Sequence, residues 1–97
     1  MKVTLTNHAK QRIEERLNVV INADVIDVSN MIYTQKYTNN FGQRRQHFVC
    51  SLNKKACVLV VDTVNKMITT VMTEGKDVSK DFAMAKNFLQ RRAAKAA

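Results

Sequence analysis

QRRQHFVCSLNKKACVLVVDTVNKMITTVMT, residues 43–73, decides what kind of fold this chain can build. In its first third Phe48, Cys50 and Leu52 alternate with His47, Val49 and Ser51, the two-residue period of a strand with one face buried. ACVLVVDTV, 56–64, is almost continuously apolar and β-branched, as expected of a central strand covered on both faces. The turns are polar: Asn53-Lys54-Lys55 before it, and Asn65-Lys66 between it and MITTVMT, 67–73. Upstream, YTQKYT, 33–38, is separated from the block by the turn Asn39-Asn40-Phe41-Gly42. The pattern predicts a meander of three or four antiparallel strands.

Helical spacing surrounds this block. KVTLT, 2–6, reads as a short strand, and Asn7 as the N-cap of a helix to about Asn18 with Ala9, Ile13, Leu17 and Val20 on its apolar stripe. Asn22 reads as a second N-cap, for a helix over 23–34 that turns Val25, Ile26, Met31 and Ile32 to the core and sets Asp24 and Asp27 at its positive end. Glu74-Gly75-Lys76-Asp77 closes the sheet, and Ser79 caps a final helix over 80–97. Phe82, Ala85, Phe88 and Leu89 give that helix an apolar face, while Lys86, Arg91, Arg92 and Lys95 charge its second half. The expected architecture is α+β: two N-terminal helices and a C-terminal helix packed on one side of a three- to four-stranded antiparallel sheet, in one domain spanning 1–97.

Composition narrows the partners. The 97 residues carry 16 Lys plus Arg against 8 Asp plus Glu, a formal charge of +8, which draws polyanions. RNA is the favoured partner, with DNA the alternative. The longest apolar run, Ala56 to Val61, is six residues, far below the roughly 20 that span a membrane. MKVTLTNHAK lacks an apolar run of signal-peptide length, which points to a cytoplasmic protein. Cys50 and Cys57 form no CxxC motif, so reduced, partly buried thiols are expected and a disulfide is the lesser alternative. Gly42 and Gly75 stand alone, so no phosphate-binding glycine loop is present, and the scattered carboxylates predict no metal or other cofactor.

Two constellations carry candidate chemistry. His8, Arg12 and Arg16 recur at four-residue steps and so share a ridge on the first helix. A histidine exchanges protons near neutral pH, and guanidinium forks match phosphate oxygens, which is what phosphodiester cleavage requires. Glu14 and Glu15 beside them equally suit a solvated, charge-laced helix face. On the strands, Arg45 and His47 alternate onto one face, able to share it with Thr70 or with Thr69 and Thr73, while Arg44 and Gln46 point to the other. Charge protecting a sheet edge explains QRRQ as well. Tyr33, Tyr37 and Phe41 beside Lys36, Arg44 and Arg45 suit either base stacking or sheet packing.

The strand followed by His8-Ala9-Lys10-Gln11-Arg12-Ile13-Glu14-Glu15-Arg16 (HAxxRxxER), and the meander ending in ITTVM, resemble the small RelE/ParE-like toxin superfamily. More narrowly they are similar to its HA-R-R branch, found in bacteria, phages and contact-dependent toxin tips. The likeness spans residues 3–74 as a pattern, with specific identities confined to the first helix and the ITTVMT strand. The resemblance implies a fold of the barnase, EndoU, colicin and RelE ribonuclease group and metal-independent RNA cleavage. His8 would be an acid or base, Arg12 and Arg16 phosphate ligands, and Thr70 or Thr73 a hydroxyl that positions the phosphate; His47, the other proton-shuttle candidate, has no counterpart. It also implies a cognate antitoxin or a host-protein target, since some relatives block DNA gyrase. The long last helix departs from the pattern and suits dimerisation or nucleic-acid contact.

The expected function is therefore a toxin-like endoribonuclease, with catalytic His8, His47, Thr70 and Thr73 and RNA-binding Lys36, Arg12, Arg16, Arg44 and Arg45. The alternative is a non-catalytic nucleic-acid-binding or host-protein-inhibiting basic protein, of phage origin in one version.

Overall fold

A computed structural model describes residues 1–96, with side chains described through Ala93. Lys95 and the last alanines, counted above in the final helix, have side chains outside the described residues. The elements run β1 (Lys2–Leu5), α1 (Asn7–Leu17), β2 (Val25–Asp27), β3 (Ile32–Thr38), β4 (Arg44–Leu52), β5 (Lys55–Asp62), β6 (Met67–Met72) and α2 (Lys76–Ala96).

The expected architecture is corrected here. Among the described residues there are two helices, not three, and the sheet has six strands in the order β2-β1-β6-β5-β4-β3. It is mixed: β1 runs parallel to β6 through Thr4↔Met67 and Leu5↔Ile68, while the other neighbours are antiparallel. The meander β3-β4-β5-β6 forms as the alternation required. What was missed is that β1 and β2 extend it.

The segment expected as a second helix is β2, a turn and the start of β3. Two local reasons stand out. The carboxylate of Asp27 accepts the Ser29 backbone N–H at 2.9 Å and the Ser29 hydroxyl at 2.5 Å, a turn that competes with helical bonding. Asp24, placed above at a helix start, instead takes Lys10 Nζ at 2.5 Å from α1. The outer edge of β1 then accepts Val25–Asp27 as its partner, Val3 opposite Ile26.

The helices lie on opposite faces, which corrects the one-sided packing. Ala9, Ile13 and Leu17 of α1 share a core with Val3, Leu5, Phe48, Cys57, Leu59, Val61, Ile68 and Val71. The alternate residues of β5, Val58 and Val60, are also buried, and Val60 is registered with His47, which bonds to α2. The β5 reading as a strand covered on both faces holds for that reason. In β6 the register shifts at Thr69, so Ile68 and Val71, three apart, both reach the α1 core.

Caps differ by a residue or more. Thr6, not Asn7, caps α1, its hydroxyl accepting Ala9 N–H at 3.0 Å, and Asn18 ends the helix in a left-handed conformation. Gly75, at φ +112, precedes α2, and Ser79 inside the first turn donates its hydroxyl to the Gly75 carbonyl. Asn53 and Lys54, both at positive φ, form the two-residue hairpin between β4 and β5.

Candidate functional site

The ridge on α1 exists, but its three side chains have separate fates. His8 is exposed in the first turn, and Arg12 lies 3.8 Å from Glu15 as a surface ion pair. Arg16 donates from Nη1 to the backbone carbonyl of Val71. Eight residues of helix put His8 roughly 12 Å from Arg16 along the axis.

Arg16 alone meets the strand candidates. Because β1 pairs with β6 only as far as Leu5↔Ile68, the outer edge of Thr69–Met72 is left without a strand, and α1 swings past it. Arg16, Thr70, Met72, Thr73 and Glu74 line a cavity of about 490 Å³ there. Thr69 is not part of it, since its hydroxyl donates to the Val60 carbonyl at 3.0 Å.

His47 belongs to a different centre, beneath α2. Register sets Gln35, His47, Val60 and Thr70 in one row across β3, β4, β5 and β6. A bulge at Thr34 directs both Thr34 and Gln35 toward α2. There Asp81, fully buried, accepts Thr34 Oγ1 at 2.6 Å, Gln35 Nε2 at 2.8 Å and His47 Nδ1 at 2.9 Å. On the other side of the imidazole, Nε2 is 3.0 Å from the hydroxyl of Tyr37, whose ring meets His47 edge-on at 5.2 Å.

The partners fix the direction of these bonds. A carboxylate only accepts, so Nδ1 carries a proton and donates it to Asp81. In the neutral ring Nε2 is then the acceptor, and the Tyr37 phenol donates to it. The chain Asp81–His47–Tyr37 thus runs from a sealed interior to a phenol at the surface, 40 % exposed. Burial pushes the Tyr37 phenol above its ordinary range, with Asp77 and Asp81 adding to the rise and Arg45 opposing it. The phenol therefore stays protonated at neutral pH.

Strand alternation divides the basic side chains near Tyr37: Arg45 is registered opposite it on the same face, while Lys36 and Arg44 project from the other. Lys36, Tyr37, Thr38 and Arg44 line a cavity of about 300 Å³, with Lys36 and Arg44 exposed. Arg45 is committed elsewhere: it lies 3.6 Å from Asp62 and donates to Gln43 Oε1 and to the Arg44 carbonyl. Hydrogen bonds from Asn65 and Val64, with Arg45 nearby, hold the Asp62 carboxyl below its usual range. Tyr33 and Phe41 are 51 % and 86 % exposed, and Tyr33 also leans on Phe48 at 6.4 Å.

Of the expected site residues, Arg16, Thr70 and Thr73 come together, while His47 bonds to Tyr37 on one face and Lys36 and Arg44 line a cavity with the other face of the same strands. His8 joins neither group: α1 covers the face opposite His47. Sequence reasoning missed Asp81 and took Tyr37 only as an aromatic platform. One signal was available for Asp81. It follows Val78 by three residues and precedes Ala85 by four, so it lies on the buried stripe of α2, where a carboxylate demands a partner. Among the described residues no three His, Cys, Asp or Glu side chains gather as a metal-ligand set, and no helix is long and apolar enough to cross a membrane. Compared with protein-family models, with curated proteins and with solved structures, the chain matches none.

Proposed function

We propose that this is an RNA-directed protein that cleaves phosphodiester bonds by acid–base chemistry, with Tyr37, His47 and Asp81 moving the proton. The observation that carries the reading is the hydrogen-bonded chain from buried Asp81 through His47 to a phenol 40 % exposed at the surface. As an RNA 2′-hydroxyl attacks the adjacent phosphorus, its proton passes to the Tyr37 oxygen while the phenol proton passes to His47 Nε2. Asp81 stabilises the imidazolium so formed. Lys36 and Arg44, on the other face of the same strand ends, attract the phosphate backbone at longer range, and the proton returns along the same chain to the departing 5′-oxygen. Because the phenol stays protonated, both transfers occur together rather than through a free phenolate.

The formal +8 supports a polyanionic substrate, and the sequence resemblance to RelE/ParE-like toxins supports RNA over DNA. The proposed catalytic centre differs from the one that resemblance implied at His8. Arg16, Thr70 and Thr73 would hold a second phosphate along the strand.

The test is incubation of the folded chain with single-stranded RNA and its deoxy counterpart in EDTA. Cleavage of RNA alone, ending in a cyclic phosphate and lost in Tyr37→Phe and His47→Gln, is expected. A folded protein that leaves RNA intact refutes catalysis.

One observation favours a binding role instead. Every buried side-chain nitrogen and oxygen among the described residues has a partner, so the Asp81 network also serves as a structural tie between α2 and the sheet. Binding without cleavage, weakening with salt as phosphates are released, would identify that role. A protein partner, whether antitoxin, host target or second copy, would use α2, where Phe88 and Leu89 are about half exposed.

A further inference from the structure

Cys50 on β4 and Cys57 on β5 are registered directly opposite each other, and both are free thiols. Their sulfurs are 3.4 Å apart. A disulfide needs about 2.05 Å between sulfurs and Cα atoms roughly 4.4–6.8 Å apart, a span that directly opposed antiparallel residues satisfy. The two-residue turn at Asn53-Lys54 holds this register. Small side-chain rotations therefore suffice to join the sulfurs, without moving a strand.

The two thiols are not equivalent. Cys57 is fully buried within the α1 core, while Cys50 is partly exposed at its margin. A small oxidant from solvent reaches Cys50 first. The hydrogen bond between the two thiols draws the Cys50 pKa down and pushes that of Cys57 up, which agrees with the more exposed Cys50 being the nucleophile of the pair.

We propose that Cys50 and Cys57 form a hydroperoxide-reactive dithiol in which Cys50 is oxidised first and Cys57 resolves it to an intrachain, cross-strand disulfide. In the first step the Cys50 sulfur attacks one oxygen of hydrogen peroxide, the O–O bond breaks, and a sulfenic acid and one water result. In the second, the Cys57 sulfur displaces the sulfenic oxygen, which leaves as the second water with the Cys57 proton. Two thiols and one peroxide thus give one disulfide and two waters. The site is independent of the RNA-directed reading, since its side chains face α1 and not the His47 centre.

The experiment exposes the native full chain to hydrogen peroxide with glutathione in the same tube, then alkylates and weighs it. The expected result is loss of both thiols together, a mass lower by two hydrogens, a monomeric chain on a non-reducing gel, and recovery with dithiothreitol. In Cys57→Ser, oxidation stops at a dimedone-trappable sulfenic acid on Cys50. In Cys50→Ser, the buried thiol reacts at least roughly tenfold more slowly than the wild-type pair. Should either variant fail to fold, brief peroxide exposure of the wild-type chain with dimedone present maps the first sulfur attacked. The proposal is overturned if wild-type thiols survive exposure that oxidises the glutathione. It is equally overturned if disulfides form only between chains, if Cys50→Ser reacts as fast as wild type, or if dimedone marks Cys57.

Discussion

Replacing Asp81 with alanine removes the acceptor that three side chains share, and the cost can be worked from their burial. Thr34 and His47 are 8 % and 4 % exposed, so each is left with a buried polar atom that has lost its partner, Nδ1 in the ring whichever tautomer it takes, while half-buried Gln35 can rotate to water. Each stranded polar atom costs about 1–3 kcal/mol, and the truncated side chain leaves a small void, giving about 3–5 kcal/mol in all. That is a large share of the 5–15 kcal/mol typical of a whole domain. With a urea slope of about 1.5 kcal/mol per M, the unfolding midpoint should drop by about 2–3 M. Asp81→Asn separates charge from shape. Its carbonyl still accepts from Thr34 and Gln35, but its amide turns an N–H toward His47, so the ring protonates at Nε2 and donates to Tyr37 instead. That variant should lose only about 1–2 kcal/mol of stability while losing the proton chain altogether. Urea titration followed by circular dichroism reads the first effect, and nitrogen-15 NMR of the imidazole reads the tautomer. A midpoint within about 0.5 M of wild type for Asp81→Ala, or an unchanged tautomer in Asp81→Asn, would refute the reasoning.

Further outcomes follow from the same geometry. In the folded chain Lys10 lowers the Asp24 pKa, Ser29 that of Asp27 and Asn65 that of Asp62. Their stabilisation is complete above the unfolded carboxylate value near pH 4 and is lost as pH falls through the lower folded values, so the urea midpoint should stay flat from about pH 7 to 5 and decline below about 4. Tyr37 has the opposite sign: its contribution is present below the ordinary phenol value near pH 10 and is lost as pH rises through its higher folded value. Ultraviolet titration should show a late tyrosine that vanishes in Tyr37→Phe. His8→Ala should change RNA cleavage by less than about twofold, whereas His47→Gln should lower it at least roughly a hundredfold, measured with a fluorescent oligonucleotide in EDTA. Arg44→Ala should reduce the slope of log affinity against log salt for single-stranded RNA by about 0.7, read by fluorescence anisotropy.

Alternation and turns made β3, β4 and β6 legible, and a continuous apolar run made β5 so, because burial on one face or on both is written into consecutive residues. The stretch 23–34 misled for a definable reason. Val25, Ile26, Met31 and Ile32 fit helical spacing, but β2 is three residues long, too short to show any period, and its pairing with β1 is a tertiary event. The same holds for the parallel contact of β1 with β6, made across some sixty residues of chain. Helical spacing correctly put His8, Arg12 and Arg16 on one ridge, yet it cannot say which part of a ridge faces a cavity. Arg16 lines one, because β1 ends where it does. The His47 centre depends on a bulge at Thr34 and on α2 crossing β3 and β4, neither of which a local pattern encodes.

The two faces of the sheet differ in a way that bears on function. Under α1 the core is aliphatic, with Phe48 and the thiols, and needs no polar partner to form. Under α2, Val58, Val60, Val78 and Ala85 are mixed with His47, Thr34 and Asp81. An apolar residue in place of Asp81, matched by apolar neighbours, would serve packing at least as well, since burying a carboxylate carries a desolvation penalty that its hydrogen bonds only offset. Stability alone therefore gives no reason for the polar set. Registry does, as the network fixes how α2 lies across β3 and β4. Registry, however, is complete once Asp81 meets Thr34, Gln35 and His47, and it does not call for the fourth member. Tyr37 bonds to the far side of the imidazole and turns the network outward to a phenol 40 % exposed. That outward bond is where a structural tie and a proton path diverge, so Tyr37→Phe, which leaves the Asp81 contacts intact, tests function with the least disturbance to the fold.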